Sequence, residues 1–153
     1  MTRVLMVCLG NICRSPMAEG LLKQKVDAQQ VNVDSAGTSG YHIDQHPDPR
    51  MIATAKNHGV DISTLKGRQF QVEDYDTFDQ IFAMDNSNYK NILRLARHNE
   101  DRAKVQLITN LCYPGENRDV PDPYFGGPEG FEKVYALLDR CTTVLAKNLA
   151  KRA

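Results

Sequence analysis

The sequence predicts an α/β fold built on a parallel sheet. Two observations carry this expectation. Strand-like and helix-like segments alternate along the chain, the pattern of βαβ units. A length of 153 residues suits one domain, residues 1–153, whose core needs no disulfide staples. The first strand is expected over Arg3 to Cys8, around the apolar run Val4-Leu5-Met6-Val7. Ser15-Pro16 then signals a helix, Pro16 to Ala28, with Pro16 suited to the first helical position. Val31 to Ala36 reads as the second strand. The second helix, Pro49 to His58, is bracketed by Asp48 before it and Gly59 after it. Phe78 to Met84 is expected as a strand, Ser87 to Ala96 as a helix and Lys104 to Leu107 as a further strand. The last helix, Gly130 to Ala150, sets Phe131, Val134, Leu137, Leu138, Cys141, Val144, Leu145 and Leu149 on one broad face. That is core spacing, and Cys141 is expected to be inert packing.

Two long irregular stretches remain, Thr38 to Asp48 and Thr109 to Glu129. Loops of this length in a compact domain are more often functional than idle. In an open parallel sheet, ligands sit beyond the carboxyl ends of the strands. Cys8, Ala36 and Met84 each end a strand, and the loop holding Asp122 follows a fourth. Their residues therefore converge on one edge.

Composition narrows the function classes. Nineteen basic and nineteen acidic side chains cancel, which removes the electrostatic case for nucleic acid or a membrane surface as partner. No apolar run approaches membrane length. The apolar N-terminal stretch is too short for a signal-peptide core and is broken by Gly10, Asn11 and Arg14. The four cysteines do not form a secreted disulfide framework. Cys8 and Cys13 as a near pair point to a reducing compartment, so a cytoplasmic location is expected. His42, His46, His58 and His98 show no metal-ligand spacing, and His42 and His46 read as solvated loop residues. No metal or other cofactor is expected. Lys66-Gly67-Arg68-Gln69 reads either as a small basic rim or as a solvated turn.

The most informative segment is Cys8-Leu9-Gly10-Asn11-Ile12-Cys13-Arg14-Ser15. It joins a strand to a helix start, and it holds two residues, Gly10 and Asn11, that readily take positive φ. A tight loop running into a helix N-terminus makes an anion cradle, because its N–H groups point inward and the helix dipole favours negative charge. A thiolate is the nucleophilic form of cysteine, and such surroundings lower a cysteine pKa to roughly 3.5–7.5. Arg14 offers a planar fork that matches two phosphate oxygens. The amides from Leu9 to Arg14 would hold the equatorial oxygens of a phosphoryl group. Ser15 Oγ is placed to donate to the Cys8 sulfur and help it leave. Asp122, between Pro121 and Pro123, reads equally as a carboxyl held on a stiff turn or as a plain turn starter.

The segment resembles the signature of the low-molecular-weight protein tyrosine phosphatases, C-x-G-N-x-C-R-S-P near the N-terminus. Asp34-Ser35-Ala36-Gly37-Thr38, Tyr41 through Arg50, Ala83-Met84-Asp85-Asn86-Ser87-Asn88 and Val120-Pro121-Asp122-Pro123-Tyr124 resemble further segments of that family, in the same order. The resemblance implies a four-stranded parallel sheet with helices on both faces. It implies phosphotyrosine hydrolysis through a phosphocysteine on Cys8, with Arg14 binding phosphate and Asp122 as general acid, then general base. Asn11, Ser35 and Asp85 would support the loop, with Asn11 bonding across to Ser35. Tyr41 and Tyr124 would be pocket walls for a flat phenyl ring. Cys13 would form a reversible disulfide with Cys8 that shields it from irreversible oxidation.

Three departures and details sharpen this. Thr64 stands near where the family often carries a histidine that supports the loop. Phe125 follows Tyr124 where many relatives carry a second tyrosine. Ile12 resembles the tyrosine-directed branch, since phosphoarginine phosphatases of this superfamily carry threonine there. The implied partners are phosphotyrosine proteins as substrates and phosphate or other oxyanions as inhibitors, acting on a monomer or weak dimer. Relatives on this scaffold reduce arsenate, but that chemistry needs a cysteine relay, and Cys112 and Cys141 lack the expected close spacing. A catalytically silent phosphoprotein-binding module, or a redox sensor using Cys8 and Cys13, is the reading from another class.

Overall fold

A computed structural model describes residues 1–152. Strands β1 (Thr2–Cys8), β2 (Val31–Gly37), β3 (Gln80–Ala83) and β4 (Val105–Leu107) form one all-parallel sheet in the order β2-β1-β3-β4. Around it lie α1 (Arg14–Lys25), α2 (Pro49–Asn57), α3 (Asp74–Thr77), α4 (Asn86–Leu93), α5 (Asn99–Ala103) and α6 (Pro128–Arg152). A 3-10 turn, Ile108–Leu111, follows β4.

The central strand explains the layering. β1 is buried from Val4 to Cys8, because both faces of the sheet are covered. Side chains alternate across a strand, so Val4, Met6 and Cys8 enter one core while Leu5 and Val7 enter another. The first core is closed by Met17 and Leu21 of α1, Met51 of α2 and Phe131 and Leu138 of α6. Tyr75, Phe78 and Ile92 close the second. Helices therefore cover both faces.

The chain leaves β1 toward β2 and later leaves β3 toward β4, in opposite directions along the sheet. The carboxyl ends of β1 and β3 thus flank a topological switch point, where such sheets open a crevice.

Several boundaries differ from the sequence reading. Helix α1 begins at Arg14, so Pro16 is its third residue, still in the turn whose N–H groups lack intrahelical acceptors. Phe78 ends α3 rather than starting a strand. α3, α5 and the 3-10 turn were not anticipated, since four or five residues are too few to show helical periodicity. α4 stops at Leu93, short of Ala96.

Candidate active site

β1 delivers Cys8 to the crevice, and the following loop is pinned by its carbonyls. Those of Cys8 and Leu9 accept from the Thr38 and Ser39 N–H groups at 2.9 and 3.0 Å, and that of Ile12 accepts from Asp48 N–H at 2.8 Å. Among the described residues, the N–H groups of Leu9 to Cys13 donate to no protein acceptor. Cys13 is the N-cap of α1 and supplies no side-chain cap. Unclaimed amides running into an uncapped helix start are the donor set of an anion cradle. Asn11 takes the left-handed conformation, φ 58°. Gly10 does not, contrary to the sequence reading. A Cβ there would stand 3.1 Å from the His42 ring, a tight contact that the ring would have to yield to. Gly37 is required for its small size. A Cβ on it would meet the Leu9 carbonyl oxygen at 2.8 Å, so the end of β2 can lie against the loop only as glycine.

A buried hydrogen-bond chain supports the sulfur. Asn11 Nδ2 donates to Ser15 Oγ at 2.8 Å and to Ser35 Oγ at 2.9 Å. Its Oδ1 accepts from Arg68 N–H at 3.1 Å, which fixes the orientation of the amide. Ser15 Oγ lies 3.0 Å from Cys8 Sγ. The Ala36 carbonyl, at 3.5 Å, is a second acceptor within reach of that hydroxyl, and a thiolate at Cys8 would be the nearer and stronger one. Ser35 Oγ in turn donates to Glu19 Oε1 at 2.5 Å, and Lys23 pairs with the other Glu19 oxygen. Asn11 and Ser35 are thus bonded to each other.

Arg14 is 2% exposed, and one of its terminal nitrogens is fully engaged. Nη1 donates to Asp85 Oδ2 at 2.7 Å and to the Val120 carbonyl at 2.9 Å. Nη2 lies 3.6 Å from Asp122 Oδ2. Nε and Nη2 therefore remain for an oxyanion. Burial works against the Arg14 charge, but Cys8, Asp85 and Asp122 together hold its pKa above the ordinary arginine value. Asp85 also caps α4, accepting from Asn88 N–H at 2.7 Å. Asp122 stands on an exposed turn, where Oδ1 accepts from Tyr124 N–H at 3.1 Å.

These groups open on a cleft of about 250 Å³ lined by Cys8, Leu9, Ile12, Cys13 and Arg14 below and by Asp122, Tyr41 and Tyr124 at the rim. His42 and Phe125 also line it. The expectation that His42 is a solvated loop residue is therefore corrected: its ring lies against Gly10, with Nδ1 held 2.8 Å from Gln45 Oε1. Burial, then Asp48, Cys8 and Asp122, pushes the Cys13 thiol strongly up.

Two further regions differ from expectation. Arg68 is no rim. It pairs with Asp34 and Asp74 while its backbone N–H holds Asn11. Thr64 is exposed, and Arg68 supplies the loop support instead. Cys112 lies against Cys141, a neighbourhood hidden by their spacing in sequence. Burial, then that neighbour, pushes the Cys141 thiol up to about 12.

A C-x5-R loop at the switch point of a parallel sheet, with a cysteine at its floor, defines the class of cysteine-based phosphatases. The sequence model described as low molecular weight phosphotyrosine protein phosphatase matches residues 3–153, and the chain belongs to that family. The low molecular weight phosphotyrosine protein phosphatase of Schizosaccharomyces pombe is 40% identical, over 97% of each chain. That of Homo sapiens is 41% identical, over 90% of this chain and 89% of its own. The crystal structure of a protein tyrosine phosphatase from Entamoeba histolytica superposes with a TM-score of 0.92 at 35% identity, covering 99% of both chains. Vibrio vulnificus Wzb, solved with benzylphosphonate, is 29% identical with a TM-score of 0.86, over 96% of this chain and 98% of its own.

Proposed function

We propose that this protein hydrolyses phosphotyrosine monoesters through a phosphocysteine on Cys8. One observation carries the reading: the buried Cys8 and Arg14 share a single aromatic-rimmed cleft with the exposed Asp122. The Cys8 thiolate attacks phosphorus, and the bond from phosphorus to the phenolic oxygen breaks. Asp122 gives its proton to that oxygen, so a neutral phenol leaves. The loop amides and the free edge of Arg14 hold the three equatorial oxygens as charge moves onto them. Asp122, now a carboxylate, takes a proton from water as the water oxygen attacks phosphorus. The S–P bond breaks, the Ser15 hydroxyl stabilises the departing thiolate, and inorganic phosphate is released.

The rim supports an aryl phosphate as the substrate class. Tyr41 and Tyr124 line the cleft with aromatic side chains, and the aryl group of benzylphosphonate in the Wzb complex is of the matching kind. All four cysteines are free thiols, which suits work in a reducing compartment such as the cytoplasm. No described helix is long and apolar enough to cross a membrane.

The test is hydrolysis of p-nitrophenyl phosphate without added metal, wild type beside Cys8→Ser, with vanadate as competitor. The expected result is turnover that vanishes in the variant and is blocked by vanadate. No turnover from fully reduced protein would overturn the reading.

A further inference from the structure

Arg50 plays no part in the steps above, yet it ties together three segments around the cleft. It stands in the first turn of α2, behind the N-cap Asp48. Its Nε and Nη2 grip the Asp48 carboxylate at 3.0 and 2.8 Å. Nη2 also donates to the Tyr124 carbonyl at 3.0 Å. The guanidinium carbon lies 5.4 Å from the centre of the Tyr124 ring and 4.8 Å from that of Phe131 in α6. Asp48 itself bonds the phosphate-binding loop through its N–H on the Ile12 carbonyl. A continuous path of bonded groups therefore runs from the loop that carries Cys8 to the turn that carries Asp122.

Beside the ion pair from Arg14 Nη2 to Asp122 Oδ2 at 3.6 Å, few polar contacts hold that turn. Among the described residues, two hydrogen bonds reach residues 121–127 from outside the segment: the one from Arg50 to the Tyr124 carbonyl, and the one from Gly130 N–H to the Gly127 carbonyl at 3.0 Å, at the far end of the segment where α6 starts. Most of the segment is exposed, and Pro123 alone is buried. Arginine suits the position for a geometric reason. Its planar fork grips a carboxylate with one edge, keeps a second Nη2 hydrogen for the carbonyl and stacks on aromatic faces, which lysine does not do together. Its hydrogen bonds also hold the Asp48 carboxyl below its ordinary range, so the pair stays ionised where the enzyme works.

We infer that Arg50 is the positioning residue for the general acid, fixing the Asp122 turn at its working distance from the phosphate-binding loop. The inference rests on the reading of Asp122 given above.

The experiment measures kcat/KM on aryl phosphates from p-nitrophenyl phosphate to phenyl phosphate, whose leaving group needs a proton far more. The variants are Arg50→Gln, Arg50→Lys, Asp122→Ala and the Asp122→Ala/Arg50→Gln double. Arg50→Gln is expected to lose roughly 10–10²-fold on phenyl phosphate, the scale of a misplaced catalytic group, and little on p-nitrophenyl phosphate. Arg50→Lys, which keeps the charge but not the fork, should fall between. Adding Arg50→Gln to Asp122→Ala should cost nothing further, and inhibition by inorganic phosphate should not change. With Asp122→Ala impaired as expected, three outcomes overturn the positioning role alone. These are no loss in Arg50→Gln, a loss equal across leaving groups, or a loss that persists on the Asp122→Ala background. If Asp122→Ala itself shows no leaving-group dependence, the assignment of the acid fails first, and this role fails with it.

Discussion

The floor of the cleft and its rim are built on opposite terms. Cys8, Asn11, Arg14, Ser15 and Ser35 are all buried, and their side chains are tied into hydrogen bonds or ion pairs. Asp122, Tyr41 and Phe125 are exposed, the last two at 79% and 93%. The floor meets one unchanging object, a tetrahedral oxyanion, and holding its donors fixed lowers the reorganisation needed in the transition state. The rim must admit and release a large phosphoprotein, so it is held by few contacts. Damage to the floor should slow every substrate alike. Damage to the rim should depend on what is being hydrolysed.

The largest expected effect tests that division at the one rim residue that takes part in proton transfer. Asp122→Ala should lower kcat/KM on phenyl phosphate by roughly 10²–10⁴-fold, the usual worth of a general acid. The loss on p-nitrophenyl phosphate should be much smaller, because that phenolate leaves without help. A steady-state comparison of the two substrates suffices, and unchanged turnover on phenyl phosphate would remove Asp122 from the mechanism.

Asn11 sharpens the comparison from the other side. It makes three hydrogen bonds from a left-handed backbone, and each is worth about 1 kcal/mol net. Asn11→Ala should therefore reduce kcat/KM by roughly 10–10²-fold, and equally for good and poor leaving groups. Asn11→Gly loses the same bonds but is free of the left-handed penalty, about 1–2 kcal/mol for a residue with a Cβ. Its Tm should lie above that of Asn11→Ala. A leaving-group dependence in either variant would mean that the loop and the acid turn are not separate devices.

How much of this was legible in the sequence follows the same division. The spacing of Cys8, Arg14, Ser15 and Pro16 announced the cradle, and Asp48 with Pro49 announced α2, because these roles require particular side chains. The grip on Arg14 was half visible. Asp85 stood in a recognisable turn, but the second acceptor is the Val120 carbonyl, and a backbone oxygen carries no residue identity. Arg68 was misread because a basic tetrapeptide looks like surface. Only the fold reveals that Asp34 and Asp74, one distant and one near in sequence, converge on it. His42 was hidden for a related reason, since only the fold reveals that its loop brings the ring against Gly10.

The smallest effect is expected at Tyr41, and it asks whether the rim selects at all. The ring is 79% exposed, so removing it should leave Tm unchanged. Tyr124 differs: its ring is braced by Arg50 at 5.4 Å and by the edge of Phe125 at 4.9 Å. An aromatic pair contributes about 0.5–1.5 kcal/mol beyond area burial, so Tyr41→Ala should raise KM for a phosphotyrosine peptide by roughly 2–10-fold. Inhibition by inorganic phosphate, which reaches only the floor, should stay as it was, and so should kcat. If KM does not move, Tyr41 is an ordinary surface residue and recognition of the phenyl ring falls to Tyr124 and His42. If phosphate inhibition weakens together with KM, the loop from Thr38 to Asp48 is shaping the floor through its bonds to Cys8 and Leu9. The separation of floor from rim would then have to be redrawn along the hydrogen bonds of Thr38 and Ser39.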